Sequence, residues 1–267
     1  MEEAALLAAA CPEVGALSGR GAPGRESAVI GGLRCVRMGL DEPWATRAYA
    51  MDPPSGAGLA EALSWLTERS PSYRVVTRAE HATAAVFHGA GLTPADELPA
   101  LVLERAVAPG AVPGLAVRPA RSPGEFLTAY GAELAPLVVD ADLADPGQVH
   151  LVGLLDGDVV GCARVRRAAG TGYVSAVSVL RAVRRRGIGA VLTEIAGQAA
   201  LDRGWRPVWL HATSGSAPLY RRLGYRLVDV HVELAPSGQA AARTARTSRT
   251  TSSAQPHESV TPAPPWP

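Results

Sequence analysis

The sequence predicts a mixed α/β (α+β) protein, a central mixed sheet flanked by helices with a smaller α/β unit ahead of it. Three observations predict it. First, 267 residues with 47% hydrophobic content exceed what one minimal domain needs and supply side chains for two cores. Second, residues 115–212 alternate short β-branched runs with helical stretches, each divided by turn residues. Third, from Pro236 onward the chain changes to Ser, Thr, Ala, Arg and Pro with almost no large aliphatic residue, so 236–267 is expected to be a disordered tail. Two Pro-Gly turn signals at 109–110 and 113–114 divide the remainder into units of 1–110 and 114–235.

In the first unit, Leu59, Leu63 and Leu66 stand at helical spacing. Tyr73-Arg74-Val75-Val76-Thr77 reads as a strand, an Ala-rich helix is expected from about Ala79, and residues 98–103 read as a further strand. Gly31-Gly32 stands alone, without the spacing of a phosphate loop. In the second unit, 115–118 is a strand, and Ser122 with Glu125 three positions later is a capping box for a helix reaching about Leu134. Residues 148–155 and 159–165 flank Asp156-Gly157-Asp158 as a hairpin. A strand over 173–179 then leads into a run of arginines, a helix from about Gly189 to Arg203 is closed by Gly204, and 206–212 returns as a strand.

Composition narrows the chemistry. The net charge of +1 gives no global reason to expect nucleic acid as a partner. All 26 basic residues are arginine, so Schiff-base, pyridoxal-phosphate and P-loop lysine chemistry are excluded. The three cysteines, Cys11, Cys35 and Cys162, form neither a disulfide framework nor a Cys-x-x-Cys pair, which fits a cytoplasmic setting. The apolar run 4–10 follows two glutamates and is too short to span a bilayer, so neither secretion nor membrane attachment is expected. The six histidines show no ligand spacing, and no metal is expected.

The segment Arg184-Arg185-Arg186-Gly187-Ile188-Gly189 lies between a strand and a helix. Unpaired N–H groups and the positive end of the helix dipole converge at such a point, the glycines admit phosphate oxygens to the backbone, and the arginines add charge. Taken alone, the run reads equally as a solvated basic turn able to touch nucleic acid. A Rossmann loop would need Gly-x-Gly-x-x-Gly after the first strand, whereas only Gly-x-Gly is present, after a late one.

With Val177-Ser178-Val179 before it, this segment resembles the acetyl-CoA signature of the GNAT superfamily: Arg or Gln, two residues, Gly, one residue, Gly or Ala. A second landmark of that family, a Tyr on a short helix just before Leu-Gly-Tyr, is matched by Tyr220-Arg221-Arg222-Leu223-Gly224-Tyr225. The resemblance covers about 115–234. It implies an N-acetyltransferase using acetyl-CoA as co-substrate, with Val177, Ser178 and Val179 along the thioester arm. Arg184, Arg185, Arg186, Gly187, Ile188, Gly189 and Ala190 would hold the pyrophosphate. Arg185 departs from the glycine many members carry there, at a position where the contact comes from backbone groups.

The same resemblance assigns proton donation to the departing thiolate to Tyr220, with a backbone N–H near Val179 polarising the carbonyl and the amine attacking directly in a ternary complex. The base is unassigned. The strand offers Tyr173, Ser175 and Ser178 where many relatives carry a Glu, and Thr213 stands near the family's usual Asn. His211 reads either as a proton outlet through water or as a packed histidine. Asp140, Asp142 and Asp145 read either as a lure for a cationic amine or as a solvated acidic loop. The first unit resembles the later half of the same fold only loosely and lacks the phosphate loop, so a degenerate tandem copy is one reading of it; its work is read as walling the acceptor cleft, mediating association or giving structural support. The acceptor is a small-molecule or peptide amine, and a homodimer is left open. The rival readings are a CoA-binding regulator without catalysis and a nucleic-acid-associated protein.

Overall fold

The structure, a computed structural model, describes residues 2–17, 20, 22–106, 108, 110–213 and 215–239. The expected tail from 240 onward lies outside the described residues, whereas Pro236 ends the last strand and Ser237 bonds through its N–H to Gly91 O.

The chain runs α1 (Glu2–Leu17), β1 (Arg25–Ile30), β2 (Leu33–Met38), β3 (Thr46–Tyr49), α2 (Gly56–Arg69), β4 (Arg74–Arg78), α3 (Ala85–Gly89) and β5 (Leu92–Leu103). It continues with β6 (Leu115–Pro119), α4 (Pro123–Tyr130), α5 (Asp140–Ala144), β7 (Gln148–Leu155), β8 (Asp158–Ala168), β9 (Thr171–Val179), α6 (Ile188–Asp202), β10 (Val208–His211), α7 (Ala217–Arg222) and β11 (Tyr225–Pro236). The mixed α/β architecture is as the sequence predicted. Among the described residues the eleven strands form one sheet in the order β1-β2-β3-β4-β11-β5-β10-β9-β8-β7-β6.

That order exchanges strands between the halves of the chain. β11, the last strand, lies between β4 and β5 of the first half, and β5 lies between β10 and β11 of the second. β5 and β11 pair antiparallel along their whole length, from Tyr225 opposite Leu103 to Pro236 opposite Leu92. Glu233 on β11 seals the seam: it is buried and lies 3.2 Å from Arg47 of β3 and 3.8 Å from Arg74 of β4. The segment 104–114, where the sequence places its division, links β5 to β6.

Several sequence expectations need adjustment. The helix expected from Ala79 is only a 3-10 turn at Ala79–His81 followed by the five-residue α3, which stops at Gly91, a left-handed residue at φ +71°. The helix from Ser122 ends at Tyr130 because Gly131 adopts φ +122°, and a 3-10 helix, Ala132–Leu137, takes over. Gly31-Gly32, read as a lone pair, is the two-residue turn of the β1–β2 hairpin, both residues having positive φ as such turns require.

The helices cover both faces. α1 buries Leu7, Ala10, Cys11 and Val14, spaced i, i+3, i+4, i+7, in a cluster with Phe126, Leu137, Val152 and Trp209 of the second half. α6 covers the opposite face with Ile188, Leu192, Ala196 and Ala200. A Cβ on Gly161 of β8 would lie 2.8 Å from Leu192 Cδ1, so the absence of one lets α6 settle close on the sheet.

Candidate active site

β9 and β10 are parallel neighbours that hold together only briefly. Gly172 pairs with Val208 and Tyr173 with Trp209, after which β9 continues to Val179 without β10 beside it. On its other side β9 stays paired with β8, Ser178 opposite Cys162 and Val179 opposite Gly161, across a bulge where Ala176 turns to φ +54°. On the side away from β8, residues 174–179 therefore offer a strand edge with no strand partner among the described residues, and such an edge receives extended groups through main-chain hydrogen bonds. Val177 and Val179 are half-buried against the α6-side core, while the Ser178 hydroxyl donates to Ala129 O (2.6 Å) on the other face.

The edge leads into the arginine segment. Arg184 Nε donates back to Val179 O (2.9 Å), Arg185 stands at φ +68°, and Gly187, at φ +87°, is the left-handed residue from which α6 begins. Among the described residues no side chain caps that helix, so the Ile188 and Gly189 N–H groups are open at the positive end of the dipole, while the Ala190 N–H donates to Gly187 O (3.0 Å). Arg184, Arg185, Arg186 and Gly187 are exposed, whereas Ile188 is buried and pins the helix to the sheet. A Cβ on Gly189 would meet only Val179 Cγ2, at 3.6 Å, an ordinary contact. Packing does not require glycine there; what glycine leaves is bare backbone at the mouth of the loop. The residue set thus fits a phosphate group at 184–190 and an extended arm along 177–179.

Tyr220 sits on α7, which is closed by Gly224 at φ +83°. Its ring is half-buried beside the cluster that holds Ile188, Val177 and Val179, edge-on to Tyr225 at 5.9 Å. Burial raises its phenol above the usual value, which keeps it protonated, and its hydroxyl makes no hydrogen bond among the described residues.

His211 ends β10 where the strands part. Its Nδ1 lies 3.2 Å from Tyr173 Oη and its Nε2 lies 2.9 Å from Nδ1 of His231 on β11. Two tautomeric assignments satisfy both contacts, and the one that also turns an N–H toward Asp229 has Tyr173 donating to His211 and His211 to His231, with His231 Nε2–H facing Asp229 at 3.8 Å. Asp229 in turn accepts from Arg78 Nε (2.8 Å). Burial and the neighbouring ring push His211 well below the usual imidazole value; burial, against the pull of Asp229, takes His231 down to about 4. Both rings are neutral near pH 7. Sequence reasoning did not single out His231, because 20 residues and an exchanged strand separate it from its partner. Cys11 Sγ also lies within 4.8 Å of ligand nitrogens of these histidines. Its thiol is pushed up to about 12 by burial.

Two of the three acidic residues have structural work, and Asp140 is exposed at the start of α5. Asp142 is buried and accepts from Val139 N–H (3.1 Å) and Gln148 Nε2 (3.2 Å), and Asp145 accepts from Gly147 N–H (2.8 Å). These bonds fix α5 and the start of β7.

No helix among the described residues is long and apolar enough to cross a membrane. Residues 118–225 match the family model for the acetyltransferase (GNAT) family. A candidate acetyltransferase of Bacillus subtilis (strain 168) is 30% identical over 77 residues, which are 29% of this chain and 52% of that protein, so the chain spans about half the length of this curated relative. Among solved structures, a GCN5-related N-acetyltransferase from Kribbella flavida aligns over 90% of this chain and 98% of its own, with 25% identity and a TM-score of 0.69. Another from Sphaerobacter thermophilus aligns over 76% and 79%, with 21% identity and a TM-score of 0.56, and shares the fold. Residues 118–225 of this chain are a domain of the acetyltransferase (GNAT) family.

Proposed function

We propose that the protein is an N-acetyltransferase that moves the acetyl group of acetyl-CoA to a primary amine by direct attack. The observation that carries this reading is the unpaired β9 edge over 174–179 running straight into the uncapped start of α6. A pantetheine amide arm would pair with the edge at Val177 and Val179. Its pyrophosphate would sit in the 184–190 segment on N–H groups within 185–189, those of Arg184 and Ala190 being already bonded to Arg181 O and Gly187 O, with Arg184, Arg185 and Arg186 supplying charge.

In the transfer, the amine nitrogen attacks the thioester carbonyl carbon. The C–N bond forms, the C–S bond breaks, and the thiolate takes its proton from Tyr220. The surplus amine proton leaves through Tyr173, which passes its own hydroxyl proton to His211 Nδ1 as it accepts; His211 hands on the Nε2 proton to His231. Because neither ring holds a second proton comfortably, the chain conducts toward Asp229 instead of storing charge.

A CoA-binding protein without catalysis is the second reading, favoured by one feature: none of Tyr173, Ser175 and Ser178 is a carboxylate. Thermal shift with CoA and acetyl-CoA, followed by thiol release across an amine panel, separates them. Stabilisation with turnover supports the transferase, stabilisation without turnover the regulator, and no stabilisation at saturating cofactor overturns both.

A further inference from the structure

We propose that a second subsite of this protein binds a carboxylate, and that the acceptor is accordingly an amine bearing a carboxylate, of the size of a single amino acid. The acetyl-transfer part of this statement rests on the reading above; the anion subsite does not. The subsite is a cavity of about 170 Å³ on the α1 and α4 face of the sheet, walled by both halves of the chain. At about 30 Å³ for each water, it has the volume of five or six waters, the scale of one small amino acid.

The lining is cationic and aromatic. Arg164 and Arg166 of β8 are 2% and 3% exposed, and Tyr49, Tyr130 and Tyr173 form the walls. Arg47 also lines the cavity but is committed to Glu233. Among the described residues no Asp or Glu contributes to the lining. Arg164 donates from Nη1 to Leu137 O (3.0 Å), its Nε has no partner, and no carboxylate lies within ion-pair distance of it among the described residues. Ser175 Oγ, on β9 at the same cavity, is buried and also unpartnered.

Taking a guanidinium out of water without a counter-charge is expensive, and such groups persist where an anion completes them. The neighbourhood registers the same excess. Burial and the adjacent Arg164 push Arg166 down to about 9, and burial with both arginines pushes His150, cross-strand from Arg164, down to about 3. A carboxylate seated on Arg164, with Ser175 Oγ donating to it, would relieve both.

Position connects the subsite to chemistry. Ser175 lies two residues before Val177 on β9, on the other side of the Ala176 bulge, so the subsite adjoins the start of the open edge and an acid held there would have its α-amine near the thioester end. Tyr173, the first member of the histidine chain, stands in the same wall. A polyamine or any acceptor with cationic flanks would meet repulsion instead.

The test compares matched pairs at saturating CoA or acetyl-CoA: L-alanine against L-alaninamide, L-threonine against L-threoninamide, and putrescine as a cationic amine. Binding is read by calorimetry and turnover by thiol release. A charge-assisted hydrogen bond pair should favour each acid over its amide about 10- to 100-fold in Kd. Arg164→Met should bring the pair to within about threefold of each other while leaving the melting temperature unchanged or raised, since an uncompensated buried cation has been removed. Equal binding of acid and amide, preference for putrescine, or an acid preference that survives Arg164→Met would overturn the subsite. If CoA stabilises the protein but no acid binds, the subsite falls and the transferase reading stands. If acids bind on Arg164 but CoA does not, the reverse holds. Should Arg164→Met fail to fold, the wild-type acid-to-amide ratio and Ser175→Ala, with an expected loss of about five- to tenfold for acids alone, decide.

Discussion

The two halves of the chain repeat one pattern and differ where it bears on chemistry. In each, antiparallel strands lead to a strand, a helix and a parallel neighbour: β3, α2, β4 in the first half and β9, α6, β10 in the second. Each then makes a short helix ended by a left-handed glycine, Gly91 or Gly224, and a long strand that enters the other half's territory. In the second half the parallel strands separate, the helix start is bare, and a tyrosine stands four residues before the glycine. In the first, Ala50 N–H continues the pairing to Val76 O (2.8 Å), and Ser55 caps α2 by accepting from Gly58 N–H (3.1 Å). There the β1–β2 turn lies against the first turn of α2: a Cβ on Gly31 would fall 2.1 Å from Gly58 O. Phe87, fully buried, occupies the place that Tyr220 has. The first half keeps the strand-helix-strand scaffold of the second with its opening filled.

The comparison can be broken at its seam. Glu233→Gln leaves Arg47 and Arg74 buried without their carboxylate, and a loss of about 3–5 kcal/mol is expected in denaturant titrations, in a single transition for both halves. Two separate transitions would show that the strand exchange does not couple them. Next in size, Tyr220→Phe should lower thiol release about 100-fold while CoA-induced stabilisation persists; Phe87→Tyr should lose about 1–3 kcal/mol of stability with turnover per folded molecule unchanged. Equal kinetic effects of the two changes would erase the functional contrast.

Acid sharpens the picture of the second half. His150 and His231 have folded pKa values of about 3 and about 4, below the unfolded imidazole value, so the unfolded chain binds protons first. Stability should be level above neutrality and fall as pH drops below about 6.5, by roughly 2 kcal/mol per buried neutral histidine at pH 5. His150→Gln should flatten that slope in a pH series of melting curves. The smallest effect concerns the closed helix end. Ser55→Ala should lose about 1 kcal/mol and leave CoA binding intact, whereas Gly189→Val should weaken CoA binding with little loss of stability. Were the two variants to affect the cofactor alike, the helix starts would not differ in the way described.

Much of the second half was legible because its elements are local. A Gly-x-Gly after a strand, a capping box at Ser122 and a hairpin at Asp156-Gly157 each depend on residues a few positions apart. The first half was harder to read. α1 carries its buried face on Leu7, Ala10, Cys11 and Val14, where small residues blur the helical period, and β1 to β3 have burial patterns set by neighbours rather than by clear alternation. The Gly31-Gly32 turn was a usable hairpin signal. Nothing local could reveal β11 between β4 and β5, the His211–His231 contact, or the convergence of Arg164, Arg166 and Ser175 with Tyr49, because each depends on pairings across the exchange.

That exchange also sets an order of events during synthesis. β5 leaves the ribosome with neither flanking strand available: Leu101 will pair with Leu210 on one side and Leu227 on the other, more than a hundred residues later. Until β10 and β11 arrive, an apolar strand waits with two open edges, the state most exposed to wrong partners and to slow, non-local closure. The sheet of the first half is therefore complete only once β10 and β11 have emerged and paired with β5.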